Sequence, residues 1–173
     1  QIMQMCNSFS KFFDEVELWT GKARNSKDFE EIQNVFGYYN IPKSFAIKKF
    51  FQFDSKLLFL LNEFIWANFR NLVFSLNVSF HLVKHRKSKN VYVYTRVWIL
   101  LYIFLFFKKI KLINNKIFYE SHKFSSFLVA PLLKIDGVIV INDYLNNLYL
   151  KHNLTTVFLA HDGVNIDEYK EIS

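Results

Sequence analysis

Three times in the last third of this chain a short apolar run ends in a polar cluster. Ile117, Phe118 and Tyr119 run into Glu120, Ser121 and His122. Val138 to Ile141 run into Asn142 and Asp143, and Val157 to Leu159 lead to His161, Asp162 and Gly163. The first two runs are each followed by a segment with helical spacing. Phe127, Leu128, Pro131, Leu132 and Ile135 follow the first, and Tyr144 to about Lys151 the second. A strand that returns parallel to its neighbour needs a crossover, and a helix is the usual crossover. The pattern therefore predicts an α/β fold: a Rossmann-like open parallel sheet with helices on both faces and its chemistry at the strand ends. The unbroken apolar run Val138 to Ile141 suits a strand covered on both sides.

Upstream the signals are shorter. Ile2, Met5, Cys6, Phe9, Phe12 and Phe13 recur at helical spacing and predict a helix over 1–13. Val16 and Leu18 alternate with Glu15, Glu17 and Trp19 before Gly21, which predicts a strand ending in a turn. Ser26 is a candidate cap for a helix that the stretch Phe36 to Pro42 breaks. Phe45 to Phe53 reads as a further strand, and Leu57 to about Val83 as a long helix. Val91 to Tyr94 is a strand with Thr95 and Arg96 at its end. The run Val97 to Phe107 is the most apolar piece, yet far shorter than the roughly 20 residues a span needs. It reads as a core helix packed on a sheet or as an interfacial anchor.

Composition narrows the function classes. With 51% hydrophobic and 21% charged residues the chain is a folding one, and 173 residues allow one domain with a real core. The lone cysteine, Cys6, excludes an internal disulfide, and a reduced, cytoplasmic setting is the simplest expectation. No secretory leader is legible at Gln1, and the true N-terminus is expected to lie upstream. No Walker loop or dinucleotide glycine fingerprint occurs, and the histidines show no metal-ligand spacing. The formal net charge of +7 favours an anionic partner. Lys84, Arg86, Lys87 and Lys89 form one cluster, and Lys108, Lys109 and Lys111 another. Each is either a solvated helix end or a contact with an anionic membrane surface. Nucleic acid is not an expected partner, because no recognised motif interleaves aromatic with basic residues.

The order of pieces resembles the N-terminal half of a GT-B glycosyltransferase of the retaining family 4 type. The early helix and the segment Asp14 to Trp19 are similar to that family's first helix and next strand. Val93 to Arg96 resembles a strand ending in Arg, Glu120–Ser121–His122 an E-x-H strand end, and Asp136 to Asn142 a D-x-v-i-v-x-S strand. Val157 to Tyr169 resembles the N-G-V-D turn that leads to the inter-domain linker. The likeness is good over 90–169 and faint over 1–20. Two positions depart from it: Asn142 stands where the family has Ser or Thr, and Asp162 and Asn165 exchange the family's Asn and Asp.

The resemblance implies an incomplete domain over 1–173. Its first strand would be missing, a linker would run over about 162–173, and a donor-binding C-terminal domain would lie outside the chain. This half would bind no cofactor itself, since the nucleotide-sugar donor would sit in that other domain. The partners implied are a nucleotide sugar and a surface-glycan or lipid-linked acceptor, and the fragment alone would be inactive. His122 is the implied catalytic residue beside the reacting sugar. Glu120, Arg96 and Asn142 are candidate substrate contacts, and Gly163 the hinge turn. The alternatives are a structural ion pair for Glu120, a surface Arg paired with a carboxylate for Arg96, and a cap for the next helix for Asn142 or Asp143. Strand alternation by itself puts Glu120 and His122 on one face. The alternative is a non-catalytic α/β binding module whose basic face, with Lys84, Arg86, Lys87, Lys108, Lys109 and Lys111, meets an anionic partner.

Overall fold

The computed structural model describes residues 2–22, 34–52, 63–84 and 91–161. It is an α/β structure of two compact units, Gln1–His81 and Leu82–Ser173, and its strands are parallel in two sheets.

In the first unit, α1 (Ile2–Phe9) buries Met3 and Cys6 against Ile41 and Phe45, with Val16, Leu18, Val35, Phe36 and Ile47 around them. β1 (Glu17–Lys22) pairs in parallel with β2 (Ala46–Phe51), Glu17 opposite Ala46. The helix expected from Ser26 falls outside the described residues. The stretch expected to break it instead forms a one-turn helix of its own, α2 (Val35–Tyr38). Asn34 makes that turn possible, because its Oδ1 accepts the Gly37 N–H at 3.0 Å. The long helix is described as α3 (Glu63–Lys84). His81 and Phe74 of α3 meet Phe50, and His81 also meets Trp19, all edge to face.

The second unit is the α/β repeat predicted from the apolar runs. Its elements are β3 (Tyr92–Thr95), α4 (Trp98–Lys109), β4 (Lys116–Ser121), α5 (Ser126–Leu132), β5 (Gly137–Val140), α6 (Asp143–Lys151) and β6 (Val157–Leu159). The strands lie in chain order β3-β4-β5-β6, every pair parallel. Alternation divides the sheet. Val93, Ile117, Tyr119, Val138 and Val140 are buried, whereas Tyr92, Phe118 and Phe158 on the other face are exposed or half-buried. α4 is a core helix, as one of the two sequence readings has it. Ile99, Leu100, Leu101, Phe104 and Phe107 are buried, and each contributes roughly 1.5–3 kcal/mol of transfer free energy.

Helix ends follow from the chain's poverty in glycine. α2, α4 and α6 close on left-handed residues that are not glycine: Asn40 (φ 47°), Lys111 (φ 59°) and Asn153 (φ 62°). In each the following amide reaches back to the carbonyl five residues earlier: Ile41 to Phe36, Leu112 to Phe107 and Leu154 to Tyr149. Pro131 sits inside α5 and leaves the Phe127 carbonyl without its helical donor. The Tyr102 hydroxyl of α4 donates to that carbonyl at 2.9 Å and fastens the two helices together.

Candidate functional site

Parallel register creates the site. Thr95 lies opposite Tyr119, so the next residues, Arg96 and Glu120, leave the carboxyl ends of β3 and β4 side by side. Glu120 and His122 continue the face of Phe118, and Arg96 that of Tyr92 and Tyr94. The three side chains meet. Arg96 Nη2 lies 2.7 Å from Glu120 Oε1, and His122 Nε2 lies 2.5 Å from the same oxygen. The Glu120 side chain is only 4% exposed, against 28% for Arg96 and 39% for His122. A carboxylate that deep requires charged or hydrogen-bonding partners, and here it has both a cation and an imidazole. The carboxylate accepts, so Nε2 donates the hydrogen bond between them. Arg96 Nε is buried and has no hydrogen-bond partner among the described residues.

The loops behind the rim are held from the helix side. Thr95 Oγ1 accepts the Val97 N–H at 3.0 Å and turns the chain from β3 into α4. Ser121 Oγ lies 2.7 Å from the Tyr149 hydroxyl of α6 and donates to the Lys123 carbonyl at 3.0 Å. Burial raises the Tyr149 phenol, with the Ser121 hydrogen bond acting in the opposite sense. Burial, with Tyr149 nearby, pushes Tyr119 up to about 12, so both phenols stay neutral near pH 7. Nothing in the sequence announces the Ser121–Tyr149 pair except that Leu145 and Tyr149 share the apolar face of α6.

Asn142 is a helix cap. Its Oδ1 accepts the Leu145 N–H at 2.9 Å, which starts α6. Lys108 is not a solvated helix end, because its Nζ pairs with Asp136 Oδ2 at 3.0 Å. The same carboxylate oxygen accepts the Ile117 N–H at 2.9 Å. Burial alone would raise the Asp136 carboxyl, yet the Ile117 N–H and the Lys108 ammonium hold it below the ordinary aspartate range. Lys84, Lys109 and Lys111 are exposed. Arg86, Lys87 and Gly163 lie outside the described residues. Among the described residues, no group of three or more His, Cys, Asp or Glu side chains could hold a metal ion.

Comparison with known protein families, with curated proteins and with solved structures finds no match to this chain.

Proposed function

We propose that this chain is the acceptor-side unit of a retaining glycosyltransferase of the family 4 type, working at the cytoplasmic face of a membrane on a surface-glycan or lipid-linked acceptor. One observation supports the reading above the others: a buried carboxylate shared between Arg96 and His122 at the carboxyl rim of a parallel sheet. Open α/β sheets bind ligands at that rim. Sugar transfer requires a hydroxyl to be oriented beside the anomeric carbon while negative charge develops on the departing diphosphate. Glu120 fixes the His122 ring through Nε2, leaving Nδ1 for a hydrogen bond with a sugar hydroxyl. Arg96 balances the buried carboxylate, and the guanidinium N–H groups that Glu120 does not engage, Nε among them, suit a substrate carrying phosphate. The donor nucleotide is assigned to residues outside this chain.

The test is turnover. The product of the complete reading frame is purified and incubated with a panel of nucleotide sugars, and nucleoside diphosphate release is followed with and without glycan or lipid-linked acceptors. Release that depends on an acceptor is the expected result. No release with any donor and acceptor pair would remove the transferase reading and leave the binding module in its place.

A further inference from the structure

We infer that the outer face of α4 is a membrane-docking surface that seats the second unit on an anionic bilayer. Trp98, Tyr102, Phe106 and Ile110 follow one another at every fourth residue, so each lies about 40° further round the helix than the last. They form one slowly winding apolar stripe along the length of α4. All four are open to solvent, Trp98 at 39%, Tyr102 at 40%, Phe106 at 59% and Ile110 at 47%. Phe127 of α5, 55% exposed, extends the stripe sideways through its edge-on contact with Trp98. Ile99, Leu100, Leu101, Phe104 and Phe107 make the buried side of the helix, and within the stripe Trp98 and Tyr102 meet α5 at Phe127.

Charge selects the occupant. Lys109 falls about three turns after Trp98 and returns to the same face, and Lys111 follows at the helix end. Both are exposed, whereas Lys108 is engaged by Asp136. A belt of Trp, Tyr and Phe beside lysines fits the headgroup layer, where rings with one polar end and long cationic stems both find their solvent. Acidic side chains are absent from α4, and the chain carries a net +7, so a lipid surface of negative sign is attracted and a second copy of the chain repelled. Among the described residues no helix is long and apolar enough to cross a membrane, so the contact is one of lying on the surface. The inference deepens the membrane placement proposed above and does not depend on the transfer chemistry. Where both hold, Trp98 lies two residues from Arg96, which brings the rim close to lipid-linked acceptors.

Co-sedimentation with vesicles, one set of phosphatidylcholine alone and one with added phosphatidylglycerol, tests it without any activity measurement. The chain is expected to pellet with the anionic vesicles at low salt. The pair Phe106→Ser and Ile110→Ser is expected to lower the partition coefficient at least about tenfold while the far-UV spectrum stays the same. Lys109→Glu with Lys111→Glu should weaken binding to anionic vesicles alone. Brominated lipid should quench a tryptophan emission that Trp98→Phe removes. Failure to pellet at low salt, or pelleting untouched by the Phe106 and Ile110 pair, overturns the inference. So does a wild-type dimer in sedimentation velocity that the same pair converts to monomer, since a second copy would then own the surface.

Discussion

Replacing Arg96 by Met removes the guanidinium and keeps most of the stem. The Glu120 carboxylate, 4% exposed, then keeps the His122 imidazole but loses its ion pair with the guanidinium. Breaking a fully dry pair in this way costs about 3–5 kcal/mol. The Arg96 side chain is 28% exposed, so solvent already screens part of the attraction, and the expected loss is about 2–3 kcal/mol. Glu120→Gln is the gentler change, because what it strands is a guanidinium that can turn to water. Its expected cost is about 1 kcal/mol. Combining Arg96→Met with Glu120→Leu removes both charges and should cost less than the sum of the single changes by about 1–2 kcal/mol. Urea denaturation reads all of these, and the Arg96→Met midpoint should fall by roughly 1–2 M. An Arg96→Met protein within about 0.5 kcal/mol of the wild type, or single changes that simply add, would refute the claim of a shared buried carboxylate.

Other outcomes follow from the helix ends and from the second carboxylate. Lys111→Gly should stabilise by about 0.5–1 kcal/mol in thermal melts, because a side chain at φ 59° strains a turn that glycine accepts freely. Asn142→Ala should cost about 1 kcal/mol of stability through the lost cap and leave acceptor-dependent turnover intact; a selective loss of turnover would instead make Asn142 a substrate contact. The folded-state value of Asp136 is depressed, so its contribution is present above the ordinary aspartate range and is lost as pH falls through the folded value. Asp136→Asn should therefore flatten the acid limb of a stability profile. Tyr119 titrates at about 12 when folded and near its ordinary 10 when unfolded, so stability should decline as pH rises between those values, and Tyr119→Phe should soften that decline.

The second unit was the more legible half. Each of its strands sits within about two residues of its apolar run, because the face turned to the helices must be apolar, although Tyr92, Phe118 and Phe158 leave the other face exposed or half-buried. The pairing of Glu120 with His122 was legible for a similar reason, since alternation admits one answer. The meeting of Arg96 with Glu120 was not readable from local pattern, because it depends on the register between β3 and β4. Register is likewise what delivers Asp136 to Lys108 and the Ile117 amide, 19 residues away from the latter in sequence. Asn142 was read as both substrate contact and helix cap, and its geometry is that of a cap. In the first unit, α2 went unseen because Gly37 and Pro42 argue against a helix, whereas the Asn34 cap and the left-handed Asn40 allow a single turn. The division of the parallel strands between two sheets carries no local signal either.

The rim is the centre of this account, and His122→Gln tests it most directly. With the complete reading-frame product, acceptor-dependent release of nucleoside diphosphate should fall by about a hundredfold or more, the range expected for a positioned hydrogen-bonding group, while the melting temperature stays near that of the wild type. Turnover within a factor of about three of the wild type would show that the imidazole held by Glu120 takes no part in transfer.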